Sequence, residues 1–327
     1  MKNRRKLFWR NFKFKYKLTI INENTLEEVV GLHVSKLNGV SVLLCAVTVI
    51  FWLTFKIALP CMLFLDIAEM DPSQLLDGRF VTYGFIVTLI SILGVWMLAK
   101  FFLKDKTQVG AFVQGAYRSS AAVLGVALIT NVYGNAGYAP LMILASVPLY
   151  NVFAVIILVL EAGGGGKLDG KRLRSAAVNV CKNPIILGIL AGMPFVLFQW
   201  HIPAMVEKTV SMLSNLATPL SLLAIGASFV WGDALKKAAP TITAAAIKLL
   251  ILPALFLPAA ILLGFRDAQL MAILIMLGSP STPSGYIMAK QMGNDHVLAN
   301  GIIVLTTLCA AVTITFWIFL LRSLALL

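Results

Sequence analysis

The chain has 327 residues, of which 59% are hydrophobic and only 13% charged, with a mean hydropathy of +0.89. A soluble domain of this length needs far more charge to cover its surface, so the composition excludes one and indicates a polytopic membrane protein. The net charge of +13 is compatible with nucleic-acid binding, but the distribution of the charge indicates membrane topology instead.

Residues 1–39 form a basic leader that is too polar to span a membrane. The nine apolar segments that follow have a helical period, and each is long enough for about 30 Å of hydrocarbon, which needs roughly 20 residues. They cover residues 40–66, 80–103, 109–132, 138–160, 176–200, 205–230, 240–264, 268–290 and 298–325. Barrel strands are shorter and alternate by two. The predicted fold class is therefore an all-α membrane bundle.

Basic residues set the predicted orientation. With the N-terminus in the cytoplasm, 20 lysines and arginines fall on the cytoplasmic side and four on the outer side. Such an excess follows the positive-inside rule for an odd number of helices. We therefore expect a cytoplasmic N-terminus and a C-terminus outside.

Two of the apolar segments carry polar, helix-breaking sequence. The stretch GAYRSSAAVLGVALITNVYG (115–134) contains Arg118, Ser119 and Ser120. The stretch MLGSPSTPSGYIMAKQMGND (276–295) contains Ser279, Pro280, Ser281, Thr282 and Pro283. Freed backbone groups must be paired in lipid, so breaks survive only where protein or a cavity surrounds them, and a half-helix N-terminus suits an anion. The alternative is that these small residues only allow close helix packing.

An internal repeat relates the two halves. ALPCMLFLDIA (58–68) aligns with ATPLSLLAIGA (217–227) at an offset of 159, and the same offset carries Gly134-Asn135 onto Gly293-Asn294. In the charge-derived topology the two copies run in opposite directions, as in transporters built from inverted repeats. The predicted organisation is a leader (1–39), a first repeat (40–160), a cytoplasmic linker (161–175) and a second repeat (176–327).

Charges inside the apolar segments indicate the site. Arg118 lies deep enough that an unpaired charge would cost about 2.5–3.5 kcal/mol, which favours a position facing a cavity. Lys248 either reaches this site or extends to the cytoplasmic surface, and the sequence leaves both open. Asp66 and Glu161 fall at segment ends, so no carboxylate is expected near mid-membrane and the coupling ion stays open. The predicted substrate-binding residues are Arg118, Ser119, Ser120, Ser279, Pro280, Ser281, Thr282, Pro283 and Lys248.

Motifs of enzymes, cofactors and metals are missing from the sequence. The four cysteines form no CxxC pair, the three histidines are scattered, and there is no HExxH, GxSxG or P-loop pattern. We therefore expect no enzymatic activity, no cofactor and no metal.

Five stretches together resemble one family. They are FKIALPCMLF (55–64), AYRSSAAVLGVAL (116–128), NPIILGILAG (183–192), LATPLSLLAIGAS (216–228) and SPSTPSGYIMAKQMG (279–293). In this order they are similar to the auxin efflux carrier family, which includes bacterial malate-permease-like carriers. The resemblance implies ten helices in two inverted halves, with the fourth and ninth broken, and export or exchange of organic anions across the bacterial inner membrane.

The chain departs from that family in two places. Ser120 stands where the family commonly has an asparagine, which leaves the ligand preference open. The counterpart of segment 176–200 should lie near 17–41, and that stretch is too polar to span. The tail 1–44 instead resembles the cytoplasmic leader of membrane-anchored bacterial peptidoglycan peptidases. We therefore expect a joined or truncated reading frame, the alternative being a family member with a specialised tail.

Two function classes follow from these observations. The first is a secondary transporter of a small organic anion such as a carboxylate, working by alternating access around the two broken helices. The second is a truncated or non-transporting membrane protein that retains the carrier fold. The expected partners are the anion and membrane lipid, with a homodimer as an option for assembly and no nucleic acid.

Overall fold

A computed structural model describes residues 15–21, 28–35, 48–69, 77–121, 125–134, 137–163, 178 and 182–327. The chain divides into two compact units, Met1–Trp52 and Leu53–Leu327. Each unit is described by itself.

The first unit contains a β-hairpin. Strand β1 (Lys15–Ile21) pairs antiparallel with β2 (Glu28–Ser35), and Leu18 lies opposite Leu32 in the register. β-Branched residues favour extended backbone, and they recur in both strands as Thr19, Ile20 and Ile21 in β1 and three valines in β2. The leader was expected to be polar and not to span, and the hairpin within it was not predicted. The resemblance of the tail to a peptidase leader stays a prediction.

The second unit is helical. Its first helix begins at Thr48, a few residues before Leu53 in the chain. The helices are α1 (Thr48–Ala68), α2 (Gly78–Phe102), α3 (Val109–Tyr117), α4 (Val126–Tyr133), α5 (Ala139–Glu161), α6 (Pro184–Phe198), α7 (Ala204–Ser228), α8 (Trp231–Lys236), α9 (Ala238–Leu262), α10 (Asp267–Gly278), α11 (Ser284–Gln291) and α12 (His296–Ser323).

Each of the nine predicted segments contains a helix, and the all-α polytopic class is confirmed. Six helices are long and apolar enough to cross a membrane, namely α1, α2, α5, α7, α9 and α12. Helices α6 and α10 are apolar but shorter. The third and eighth segments are each divided into two shorter helices, α3 with α4 and α10 with α11. Residues 40–47 and most of the predicted linker lie outside the described residues.

The broken helices lie in the interior of the second unit. All nine residues of α3 are buried, and so is every residue of α10 from Leu270 to Gly278. Protein therefore surrounds the points at which these helices stop, which is the condition for a break at membrane depth.

Two glycines bring α6 close to α1. A Cβ atom built on Gly188 would lie 2.5 Å from the carbonyl oxygen of Pro60, and one on Gly192 would lie 2.7 Å from that of Phe64. Small residues four apart let two helix backbones approach in this way. The stretch GILAG is therefore a packing surface that holds α6 against α1.

Two π-helical turns precede prolines. The turn Thr54–Ala58 comes before Pro60, and Ile247–Ile251 comes before Pro253. A proline ring clashes with the carbonyl four residues earlier and offers it no N–H, and a wider turn relieves the clash. The carbonyl of Leu249, which Pro253 leaves without a ladder bond, accepts from Trp317 Nε1 at 3.0 Å. Helix α12 thereby anchors the middle of α9.

Candidate functional site

The two helix breaks meet through their backbones. The chain leaves the helical conformation at Arg118 (ψ 130°) after α3 and at Ser279 (ψ 156°) after α10. Between the breaks, the backbone N–H of Ser120 donates to the carbonyl of Pro280 at 2.9 Å. The backbones of the two polar stretches thus contact each other at the breaks.

Other backbone groups at the second break find partners in neighbouring elements. Pro280 and Pro283 offer no N–H, so the helical ladder stops there. The N–H of Ser281 donates to Thr306 Oγ1 in α12 at 3.2 Å, which satisfies a donor that the break releases. Helix α11 begins at Ser284, directly after Pro283. The prolines thus separate the two halves, and α12 supports the gap.

Arg118 is a buried cation at the junction, with 3% of its surface exposed. Its Nη2 donates to Asn151 Oδ1 at 2.7 Å and to Ser284 Oγ at 3.2 Å, and its Nη1 contacts the sulfur of Met288 at 3.3 Å. None of these partners carries a charge, and no ion pair to Arg118 is found among the described residues. Since a guanidinium has five N–H donors, some remain free for a ligand.

Asn151 adds a second donor beside Arg118. Its side chain is 1% exposed, its Oδ1 accepts from the guanidinium, and its Nδ2 has no hydrogen-bond partner in the described part of the chain. A buried amide N–H₂ without a partner is costly, so this group is a candidate donor to a ligand. Asn151 was not among the substrate-binding residues predicted from the sequence.

A cavity of about 60 Å³ lies at this junction. A single water occupies roughly 10–15 Å³ of such cavity volume, so the cavity has room for several waters or a small solute. Five of the nine predicted site residues line it, namely Arg118, Ser119, Ser120, Thr282 and Pro283. Polar residues that were not in the predicted set also line it, namely Asp66, Tyr150, Asn151, Thr218 and Ser284.

The other four predicted residues are not part of the cavity lining. Ser279 and Ser281 are buried in the second break, and Pro280 contributes its carbonyl to Ser120. Lys248 is completely buried, and its Nζ contacts the backbone ends of the broken helices. Their sequence-based assignment as direct substrate ligands therefore stays a prediction without support from the cavity geometry.

Burial decides between the two positions that the sequence left open for Lys248. Its relative exposure is 0%, so the side chain does not extend to the cytoplasmic surface. The amine instead lies beside Tyr117 and Leu277, at the ends of α3 and α10. Snorkelling is therefore excluded for this lysine.

Asp66 corrects one expectation from the sequence. Counting residues along the chain placed its carboxylate at the end of a segment, so no carboxylate was expected near mid-membrane. In the structure Asp66 lies within α1 and lines the same cavity as Arg118. The site thus contains an acid and a base, with no ion pair between them among the described residues.

Comparisons with known proteins agree with this geometry. A family model described as "Membrane transport protein" matches residues 45–318, a range that includes both breaks. A protein of Rhizobium meliloti (strain 1021) named "Putative malonate transporter" is 23% identical over 275 residues. The match covers 83% of this chain and 85% of that protein.

Proposed function

We propose that this chain, which belongs to the membrane transport protein family, is a secondary carrier for a small organic anion such as a carboxylate. Membership confirms the resemblance to the auxin efflux carrier family and makes the chain a multi-pass membrane transporter. The family points to a transporter rather than an enzyme. The choice of an organic anion, and of alternating access as the mechanism, is the part that we propose.

The observation that carries the proposal is the buried guanidinium of Arg118, which forms no ion pair within the described part of the chain, although the carboxylate of Asp66 lines the same cavity. A charge held away from water needs compensation, and the neutral partners Asn151 and Ser284 supply only part of it. A substrate carboxylate in the cavity would complete it, because a planar fork binds a carboxylate through two parallel bonds. The free Nδ2 of Asn151 is a further donor for the same anion.

The start of α11 adds a partial positive charge. Thr282, Pro283 and Ser284 line the cavity, and Ser284 is the first residue of this eight-residue helix. A helix N-terminus carries roughly half a positive charge and favours anions. Together with Arg118 it gives the cavity the charge that a carboxylate requires. The relative from Rhizobium meliloti is named for malonate, whose small size suits a cavity of about 60 Å³.

The order of the helices supports movement of one repeat against the other. Helices α2 to α5 are a long helix, two halves of a broken helix and a second long helix, and α9 to α12 follow the same order. Repeats of this kind support alternating access around a site at their boundary. No described feature favours a non-transporting protein over a carrier.

A transport assay tests the proposal. The protein is reconstituted in liposomes, and uptake of a labelled carboxylate panel, including malonate and malate, is measured against empty liposomes. We expect saturable uptake of at least one small carboxylate, competed by unlabelled anion and not by neutral or cationic solutes of similar size. If the folded protein moves none of these anions, the carrier proposal is wrong and a non-transporting role takes its place.

The proposed orientation has a direct test. We propose nine membrane crossings, with the N-terminus in the cytoplasm and the C-terminus outside, in the inner membrane of a bacterium. Reporters that fluoresce only in the cytoplasm, fused at Met1 and at Leu327, should give signal at Met1 alone. Equal signal at both ends would require an even number of crossings.

The position of Asp66 predicts how charge balance affects affinity. The carboxylate of Asp66 lines the same cavity as the proposed substrate anion and repels it. Asp66→Asn keeps the shape and removes the charge, so we expect the KM for the anion to fall roughly fivefold, corresponding to about 1 kcal/mol. Glu69→Gln is the matched control, because Glu69 is exposed beyond the end of α1 and is not part of the lining. An unchanged KM in Asp66→Asn would show that Asp66 does not face the bound anion.

A further inference from the structure

The amine of Lys248 is surrounded by oxygen atoms of the two broken helices. It donates to the carbonyl of Leu277 at 2.6 Å, to that of Tyr117 at 3.1 Å and to the hydroxyl of Ser119, and the carbonyl of Met276 lies at 3.4 Å. The residue is 0% exposed, and no ion pair involving it is found in the described parts of the chain. Neutral oxygens alone therefore compensate this amine.

The breaks themselves release these carbonyls. Pro280 has no N–H to give to Met276, which lies four residues earlier, and the N–H of Ser281 is taken by Thr306 instead of Leu277. Tyr117 is the last residue of α3, so its carbonyl also ends a ladder. The C-terminal ends of two helices thus present carbonyl oxygens, with their partial negative charge, to one point.

This set of oxygens has the chemistry of a site for a small monovalent cation. In transporters built from broken helices, unwound carbonyls and the C-terminal ends of half-helices coordinate coupling ions such as Na⁺. We propose that the ammonium of Lys248 is a tethered cation that fills such a site, so that this carrier moves its anion without Na⁺. The inference rests on the proposed transport function for its consequence, but the site itself is tested independently of transport.

The consequence for transport follows from the tether. A free Na⁺ ion enters and leaves with the substrate and adds the energy of its gradient. The ammonium of Lys248 remains attached to α9 in every state, so it holds α3 and α10 together but contributes no gradient energy. Transport by the wild-type protein should therefore be the same in NaCl and in choline chloride.

Removing the lysine side chain should convert the site to one for free Na⁺. Lys248→Ala takes away the amine and its four-carbon stem and leaves space among the same oxygens. Lys248→Met is the matched control, because its side chain also removes the charge but still fills the space. Lys248→Ser is a second small variant that adds a hydroxyl ligand.

The experiment compares thermal unfolding of the purified proteins in NaCl and in choline chloride of equal ionic strength. We expect Na⁺ to raise the Tm of Lys248→Ala and Lys248→Ser by about 3 °C at a concentration tenfold above its dissociation constant. The wild-type protein and Lys248→Met should show no difference between the salts. In liposomes, Lys248→Ala should transport at least tenfold more slowly than wild type in choline chloride and recover part of that loss in NaCl.

The outcomes separate this inference from the proposed function. Stabilisation of the small variants by Na⁺ supports the cation site even if no anion of the panel is transported. A wild-type protein that transports but requires Na⁺, or small variants that bind none, would overturn the inference while the carrier proposal stands. If the small variants are recovered folded in NaCl but not in choline chloride, the site is also supported. Recovery in neither salt contradicts it, because free Na⁺ should then have replaced the amine.

Discussion

Arg118→Gln is expected to abolish carboxylate transport while the folded protein stays in the membrane. Losing one partner of a buried, hydrogen-bonded charge pair costs about 2–5 kcal/mol, so we expect the transport efficiency to fall by roughly 30-fold or more. The variant should remain inserted, because the substitution removes a charge whose insertion costs about 2.5–3.5 kcal/mol. The measurement is uptake in liposomes, normalised to the amount of folded protein.

Two further variants make this result specific. Arg118→Lys keeps the charge but lacks the planar fork, so it should weaken affinity and retain part of the transport. Arg266→Gln is the matched control, since Arg266 is exposed and its guanidinium donates to the carbonyls of Ile261 and Phe265. Arg118→Gln with wild-type affinity would mean that the guanidinium only braces Asn151 and Ser284, and the anion site would then have to be sought elsewhere.

The helices were predictable because each needs a long apolar run, and such runs are visible without tertiary information. The two breaks were predictable for the same local reason, since Pro280 and Pro283 cannot continue a ladder and Arg118 is costly in lipid. The β-hairpin was not predicted because its strands are short. They lie in the N-terminal tail, which was considered only for its ability to span a membrane.

The roles of Asp66 and Lys248 could not be derived from position in the sequence. Asp66 is near the end of a predicted segment, but how far the cavity extends along α1 depends on how the helices pack. Lys248 has a long flexible stem, so the sequence is compatible with an amine at the cytoplasmic surface or at the site. The contacts of the amine with Tyr117 and Leu277 show that it lies in the interior. The sequence indicates a ligand contact at Asn151 only weakly, because an amide in an apolar segment is equally compatible with a hydrogen bond to another helix.

The same contacts show why a break can serve two purposes. On one side of the junction, Arg118 and the start of α11 offer positive charge to the cavity. Beside them, the carbonyls of Tyr117 and Leu277 offer negative charge to Lys248. A continuous helix through the second stretch would hide in its ladder the carbonyl of Leu277 and the N–H groups at the start of α11. The interruption is therefore what makes an anion site and a cation site available within one short stretch of chain.

Restoring the second helix should remove the backbone groups that the second break contributes to both sites, and Pro280→Ala with Pro283→Ala is the change that does so. Each interior proline costs a helix about 3 kcal/mol, so the double variant favours a continuous helix from α10 into α11. The new N–H at position 280 would take the carbonyl of Met276, which now accepts from Ser119 and from the hydroxyl of Tyr150. We expect transport to fall at least tenfold, while the protein stays inserted in the membrane.

Pro258→Ala is the control that separates this effect from general relief of helix strain. Pro258 lies inside α9, is exposed, and is not part of the cavity lining. Its replacement should leave transport unchanged. It should raise the thermal stability, because alanine relieves the strain that a proline causes inside a helix. If the double variant at 280 and 283 transports at the wild-type rate, those prolines only bend a packing helix. The free backbone groups at the junction would then not be what binds the anion, because the variant would have lost them.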